Sequence, residues 1–415
     1  MYAKTTVAKS LVAKSLVAVS LASIVAIVPA CAPRAAGKEA RIEANARFQR
    51  TTSLVSFDQA KQAFESGELD KARKEVETAL ARSGKEAKYW SLLGRIELES
   101  KKLEKAVEAF GKAIECDPKL AEPYYYRGIV YQRWSQNDKA IADYLKAGEL
   151  DPERIAYVLA AAELMVAERK LDDARMLLLP KLGYFEHNAA MHELLGDIAQ
   201  LGGDWASAAA SYERAMMIDT DAPMIGSKFV AALFDAGEYQ KCLETVRRQR
   251  QRAQSDQSTG KRFVPSIEML RYEGRSLAML GRVAEARVVF SDTVREYPED
   301  IGGWRDLATA ALAIDDLQRA QSASERLIAL ANEDPVGYTL RGHVAARKGN
   351  MEEAIGWHTS ACQRGPSNSE AHIALGLAYA QAGRKGDAMK ALQKALTLDP
   401  GSELAKEAIA SVSQE

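Results

Sequence analysis

A period of 34 residues runs from Ser53 to Ser402 and limits the folds open to this chain more than any other feature. Frames of this length begin at residues 53, 87, 121, 155, 189 and 223, and again at 267, 301, 335 and 369. Position 20 of these ten frames is alanine nine times and cysteine once. A fixed period of this kind is typical of solenoid proteins, in which each repeat stacks on its neighbours.

Three other positions of the frame are also restricted. Position 8 is glycine or alanine in nine of the ten frames, several frames carry an aromatic ring at position 4, and position 32 is proline five times. Two helices can cross closely only where side chains are small, and proline ends a helix because it lacks a backbone donor. Each frame is therefore predicted to form two helices, with positions 8 and 20 facing each other at their crossing.

The second frame carries the fullest form of the pattern, in Trp90, Leu93, Gly94, Ala106, Phe110, Ala113 and Pro118. These residues resemble the signature of the tetratricopeptide repeat family. The resemblance implies an all-α, right-handed superhelical solenoid of about ten helix–turn–helix repeats. Repeats one to six would occupy residues 53–246, and repeats seven to ten would occupy residues 267–402. Lys181 and Gln249 stand at position 27, where a small residue is expected, so repeats four and six are the weakest matches.

Residues 1–30 have the order of a secretory signal, with three lysines, then a short apolar run, then small residues. As a helix, the run Leu16–Val28 would reach about 20 Å, less than a bilayer core of about 30 Å. Residues 28–31 resemble the lipobox of bacterial lipoproteins, which implies that Cys31 carries lipid. In such lipoproteins, a residue like Ala32 after the lipidated cysteine favours transfer to the outer membrane, where the protein would face the periplasm. The alternatives are soluble export after ordinary cleavage beside Cys31, or an uncleaved anchor.

Three segments lie outside the repeats. Residues 31–52 are rich in Ala, Arg and Glu without a clear apolar face, and are predicted to be a partly helical tether. Residues 247–266 break the period; the basic run Arg247–Arg252 is predicted to extend the second helix of repeat six, and a polar loop follows it. This insertion is interpreted as a solvated helix end or as a basic docking element. Residues 403–415 are predicted to form a capping helix with Leu404, Ala408, Ile409 and Val412 on its apolar face.

The composition and the motifs exclude several classes of function. Lys and Arg total 56 against 57 Asp and Glu, so no global field attracts nucleic acid, and four cysteines are too few for a disulfide scaffold. No phosphate-binding glycine loop, H-E-x-x-H motif or paired C-x-x-C motif occurs. His192, His358 and His372 fall at packing positions. We therefore predict no enzyme activity, no cofactor, no metal site and no small-molecule substrate.

Protein partners are expected on the first helix of each repeat. In the tetratricopeptide family these helices line a concave groove through positions 2, 5, 9 and 12, and such spacings share one helix face. The predicted partner-binding residues at these positions are Tyr125, an acidic cluster of Glu163, Glu193 and Asp197, and a basic cluster of Arg271, Arg275 and Arg305. The arginines would repel one another unless an anion compensates them. An acidic partner segment is therefore predicted there and a basic segment at the acidic cluster, although each cluster could also be only solvated surface.

The predicted function is that of a non-enzymatic scaffold in the bacterial cell envelope, bound to the membrane by a lipid. It is similar to the tetratricopeptide lipoproteins that assist the assembly of a pilus, a secretin or a polysaccharide-export machine. One rival is a regulatory subunit of an envelope enzyme, such as a glycosyltransferase or a peptidoglycan hydrolase. Another is a cytoplasmic adaptor. Some family members clamp a chaperone's terminal carboxylate with asparagines, and this chain lacks asparagines at the required positions.

Overall fold

The computed structural model describes residues 34–220, 222–255 and 266–414, and all regular structure within these ranges is helical. The prediction of an all-α repeat fold is confirmed. The chain divides into two compact units, Met1–Asp117 and Pro118–Glu415. In the described ranges, no helix is both long enough and apolar enough to cross a membrane. The predicted signal and the lipid site at Cys31 lie outside the described residues.

The described residues of the first unit, 34–117, form four helices in two hairpins. They are α1 (Arg34–Glu65), α2 (Leu69–Arg82), α3 (Ala87–Glu99) and α4 (Leu103–Cys116). Residues 34–52, predicted to be a tether, are the N-terminal part of α1 and continue without a break into the first repeat. The helix predicted for part of the tether extends over all of its described residues, because Ala, Arg and Glu all favour a helix even where no apolar face packs it.

The second unit continues the same alternation of first and second helices. Its helices are α5 (Ala121–Arg133), α6 (Asn137–Leu150), α7 (Ile155–Ala167), α8 (Leu171–Leu178), α9 (Ala189–Leu201), α10 (Trp205–Ile218), α11 (Pro223–Asp235), α12 (Tyr239–Ser255), α13 (Ile267–Met279), α14 (Val283–Glu296), α15 (Ile301–Ala313), α16 (Leu317–Leu330), α17 (Pro335–Arg347), α18 (Met351–Arg364), α19 (Ser369–Gln381), α20 (Lys385–Leu398) and α21 (Glu403–Gln414). A single 3₁₀ turn, Leu179–Lys181, follows α8.

The helix boundaries follow the 34-residue frame closely. From α3 to α19 every first helix starts at the first residue of a frame, and every second helix starts at position 17. Position 15, in the turn between them, has a positive φ in all ten frames. It is glycine in six frames; in the other four it is Lys101, Ser135, Arg169 or Asp315. A left-handed residue just past a helix is a common way to end it, so the turn is fixed by backbone geometry.

The helix crossing differs from the prediction in which side chain meets position 8. A Cβ on Gly94 would lie 2.5 Å from Cε1 of Phe110, so the ring at position 24 occupies the space that the glycine leaves. The other pairs of this kind are Gly128 with Tyr144, Gly196 with Tyr212, Gly274 with Phe290 and Gly342 with His358. Position 20 approaches through its backbone, since the carbonyl of Ala140 would be 3.3 Å from a Cβ on Gly128. The residues at positions 8 and 24 are therefore matched in size.

Ion pairs connect the two repeats on either side of the break in the period. As predicted, α12 runs on through the basic stretch as far as Ser255. Arg247 Nε and Arg250 Nη1 lie 3.2 and 2.6 Å from the carboxylate of Glu273, whose side chain is only 4% exposed. These two arginines therefore join repeat six to repeat seven. Residues 256–265 lie outside the described residues.

Two weaker regions of the pattern are irregular. In repeat four the second helix ends at Leu178, and the 3₁₀ turn that follows contains Pro180 and Lys181. In the capping helix α21, the buried residues are Ala405, Ala408 and Val412, whereas Leu404 is 57% exposed. The prediction that Leu404 packs inward is therefore wrong by one residue, since Ala405 occupies that face.

Candidate functional site: the first-helix face

In the second unit the first helices of successive repeats approach one another. Helix α13 contacts α15, α15 contacts α17, and α17 contacts α19. Within the described ranges of this unit, no two second helices of successive repeats make comparable contact. A stack curves toward the helices that lie closer together, so the first helices lie on its inner side. We call the surface formed by positions 5, 9 and 12 of these helices the first-helix face.

One lysine holds two of the three residues in the acidic cluster. Lys228 Nζ on α11 lies 2.7 Å from Glu193 Oε1 and 2.8 Å from Asp197 Oδ1, both on α9. The exposed fractions of the three side chains are 31, 29 and 31%. Although burial opposes its charge, the two carboxylates raise the pKa of Lys228 above its usual value. The Tyr212 hydroxyl donates to Asp197 over 2.6 Å and fixes that carboxylate from the other side.

The basic cluster has the opposite arrangement. Asp306 on α15 accepts hydrogen bonds from Arg271 Nε at 2.9 Å and from Arg275 Nε at 3.1 Å, both on α13. The side chains of Arg271, Arg275 and Asp306 are 16, 33 and 11% exposed. The premise that an anionic partner must compensate Arg271 and Arg275 does not hold, because the chain supplies the anion itself.

A glycine and a second acid fix the position of Arg271. A Cβ on Gly302 would lie 2.2 Å from the guanidinium carbon of Arg271, so only glycine leaves space for that group. Asp300 caps α15 by accepting from the backbone N–H of Gly303, and its carboxylate lies 3.9 Å from Arg271 Nε. Arg271 is therefore held within the repeat stack.

Lys228 and Asp306 are not among the site residues predicted from the sequence, although each forms ion pairs with two of them. Each stands at position 6 of its repeat, and each contacts residues that lie 35 and 31 positions earlier. The two clusters thus share one geometry with their charges exchanged. The sequence does mark these two residues, since Lys228 and Asp306 are the only charged residues at position 6 of repeats two to ten.

Two predicted residues differ from the paired ones. Glu163 on α7 and Arg305 on α15 are both exposed, and within the described ranges neither side chain makes an ion pair or a hydrogen bond. The side chains that partly cover Glu163 raise its pKa, and the nearby Glu193 adds to this effect. These two are the charges of the first-helix face that the chain does not compensate with a paired side chain.

Tyr125 on α5 belongs to an aromatic group beside Glu163. Its ring centroid lies 4.8 Å from that of Tyr157 and 5.6 Å from that of Tyr144. Burial raises the pKa of Tyr125, and the charges of Tyr126 and Glu163 add to it. Burial likewise raises the pKa of Tyr144, with Glu163 among the further causes. The Glu163 carboxylate is therefore close enough to act on both hydroxyl groups.

The aromatic residues at position 4 serve the fold. The indole N–H of Trp90 donates to the carbonyl of Gly84 over 2.7 Å, and that of Trp304 donates to Pro298 over 2.8 Å. His192 Nε2 lies 3.0 Å from the carbonyl of Glu186, again six residues earlier. Each ring thus secures the turn that precedes its own helix.

In the part of the chain that the structure describes, His358 is a packing residue and the cysteines are not paired. His358 is 1% exposed, and burial, with His343 nearby, lowers its pKa to about 3, so the ring is neutral. Cys116, Cys242 and Cys362 are free thiols. Within the same ranges, no three His, Cys, Asp or Glu side chains lie close enough to hold a metal ion.

Comparisons with known proteins identify the repeats. A TPR repeat family model matches residues 94–133, and tetratricopeptide repeat models match residues 305–369 and 369–402. BBSome complex member BBS4 of Bos taurus is 28% identical over 131 residues, which are 32% of this chain and 25% of that protein. The chain therefore matches about a quarter of the length of that relative.

Three solved structures are similar over most of the chain. They are the APC/C hetero-tetramer Cut9–Hcn1 (TM-score 0.43, 11% identity, 85% of this chain and 95% of that chain), Naa15/Naa10 bound to HypK-THB (0.42, 16%, 87% and 66%) and yeast Tom70 (0.39, 13%, 87% and 95%). The family matches identify tetratricopeptide repeats at residues 94–133 and 305–402, where the helices of the structure follow the same 34-residue frame. Such repeats form scaffolds for protein–protein interaction.

Proposed function

We propose that this protein is a non-enzymatic scaffold that binds a partner protein along the first-helix face of the second unit. One observation carries the proposal: Glu163 and Arg305 lack an internal partner on a face where the other clustered charges are paired. Glu163 is partly covered, so its uncompensated charge costs folding free energy, whereas Arg305 is exposed to solvent. Such charges are well suited to a partner of opposite charge, which gains orientation and specificity from them.

The charges along the face suggest how a partner segment would lie. Around Glu163 there are three carboxylates and one amine, an excess of negative charge. Around Arg305 there are three guanidinium groups and two carboxylates, Asp300 and Asp306, an excess of positive charge. A segment with a basic part and an acidic part would meet both regions. Its basic part would lie against repeats four to six, and its acidic part would lie against repeats seven and eight.

We further propose that the scaffold works in the bacterial cell envelope, exported and held by lipid on Cys31, with the outer membrane favoured. The support is the sequence order of residues 1–31. In this arrangement the helical residues 34–52 would place about 28 Å of rigid rod between the anchor and the first repeat. The narrower role that fits is assistance in assembling an envelope machine, such as a pilus, a secretin or a polysaccharide exporter.

The scaffold is tested by site-specific cross-linking in living cells. A photoreactive phenylalanine at Arg305 should form an adduct with a partner protein. The same group at Lys390, whose side chain is 82% exposed on a second helix, should not. Equal adducts at both positions, or none at Arg305, would contradict binding along the first-helix face.

The anchor is tested separately by labelling and fractionation. Metabolic labelling with a fatty acid should mark the wild-type chain, and Cys31→Ser should abolish the label and release the protein from membranes or stall its processing. An unmodified chain that starts at Met1 in a cytoplasmic fraction would contradict both the anchor and the compartment.

A further inference from the structure

The part of the first-helix face formed by repeats three to five contains a subsite that no internal ion pair fills. One wall of it is the ring of Tyr125, which packs against Tyr144 and Tyr157. The Tyr144 hydroxyl donates to Gln132 Oε1 over 2.7 Å, so this wall is fixed by a hydrogen bond as well as by packing. Helix α7 carries both Tyr157 of this wall and the exposed Glu163, whose charge acts on the hydroxyl groups of Tyr125 and Tyr144.

The electrostatics of this subsite favour a cation. Glu193 is the carboxylate whose charge acts on Glu163, and it shares the Lys228 amine with Asp197. The single positive charge of Lys228 therefore compensates two carboxylates, and the charge of Glu163 is not compensated. Bringing a basic group to this point would relieve the repulsion between Glu163 and Glu193 without displacing any internal ion pair.

We propose that Tyr125 and Glu163 form a subsite for one lysine or arginine side chain of the partner segment. The carboxylate would accept a charge-assisted hydrogen bond, and the aromatic face would attract the same cation. This inference rests on the proposed function, because the segment that carries the basic residue is the one bound along the first-helix face. It narrows that function to a single contact that can be tested.

The test uses the full chain as bait for a displayed library of random dodecapeptides. The selected peptides should share a lysine or arginine at one position. In fluorescence anisotropy, Glu163→Gln should weaken a selected peptide about tenfold, the range expected for one charge-assisted contact. Replacing the shared basic residue by norleucine should cost the same factor, and combining both changes should cost no more, as in a double-mutant cycle between contacting groups.

A matched control separates local contact from overall charge. Glu153 is an exposed residue in the turn before α7, so Glu153→Gln removes the same charge outside the first-helix face and should leave binding unchanged. Equal weakening by both variants, or additive effects in the cycle, would overturn the subsite. If Arg305→Gln still weakened those peptides, the scaffold would stand. If no peptide were selected that is sensitive to either residue, both proposals would fail.

Discussion

The acidic and basic clusters of the first-helix face each contain ion pairs of the same geometry with opposite charges: Lys228 with Glu193 and Asp197, and Asp306 with Arg271 and Arg275. The two arrangements differ mainly in burial. Lys228, Glu193 and Asp197 are each about one-third exposed, at 31, 29 and 31%. In the basic cluster, Asp306 and Arg271 fall to 11 and 16%. Removing one partner of a buried ion pair costs much more folding free energy than removing one partner of an exposed pair. The basic cluster is therefore a structural link between repeats seven and eight, and the acidic one is a weaker link that still meets solvent.

The same contrast separates residues that share a position in the frame. Arg271 and Arg305 both stand at position 5 of consecutive repeats, yet Arg271 is held by Asp306 and Arg305 is exposed. Position in a repeat thus determines where a side chain points. The residue at position 6 of the next repeat determines whether its charge is available to a partner.

The largest effect is expected at the centre of the basic cluster. Asp306→Asn leaves Arg271 and Arg275 close together without their shared anion, and should lower the free energy of unfolding by about 3 kcal/mol, as for breaking a buried pair. Hydrogen exchange on the full chain should show the loss of protection concentrated in α13–α15, because contacts in a repeat array are local. A uniform loss along the second unit would contradict this local role.

A change of similar kind acts on the same cluster from the side of the glycine. Gly302→Ala places a methyl group where the Arg271 guanidinium lies, and should cost about 2 kcal/mol of stability. Gly356, inside α18, is the matched control because a Cβ there meets nothing within 4 Å. Gly356→Ala should instead stabilise by up to about 1 kcal/mol, since alanine favours a helix interior. Chemical denaturation of the two variants measures the difference.

The acidic cluster should respond less to the loss of its central residue. Lys228→Met should cost about 1 kcal/mol at neutral pH, because the three side chains remain partly solvated. The raised pKa of Lys228 gives a sign for the pH dependence. Its stabilisation should be complete below pH 10.5, the usual lysine value, and should disappear as the pH rises through the folded-state pKa. The pairing would be contradicted if the difference in stability between the wild type and Lys228→Met persisted at pH values above the folded-state pKa of Lys228.

The smallest effect is expected at Glu163 and has the opposite sign. Its pKa is raised in the folded state, so folding favours the protonated form. Glu163→Gln should therefore stabilise the protein slightly at neutral pH, and the gain should vanish below pH 4.5, the usual value of this carboxyl group. A loss of stability at neutral pH, measured by thermal unfolding, would mean that Glu163 has an internal partner.

Sequence reasoning located the helices well because the period marks every boundary. Helices such as α3 and α13 start at the first residue of a predicted frame, and the alanine and glycine positions fall at the crossings. It did not find the roles of Lys228 and Asp306, since each repeat face was read by itself, and a contact at an offset of 35 residues belongs to two repeats. The extent of the helix over residues 34–52 was underestimated as a partly helical tether, because no apolar stripe marks these residues.

The pair Arg271→Gln and Arg305→Gln tests most directly whether internal pairing separates structural charges from partner-binding charges. The two variants make the same chemical change at the same position of neighbouring repeats. If internal pairing makes a charge structural, urea unfolding of the full chain should show that Arg271→Gln lowers the free energy of unfolding by about 2–3 kcal/mol. Arg305→Gln should stay within about 0.5 kcal/mol of the wild type, as exposed surface changes do. Equal losses of stability in the two variants would contradict the distinction.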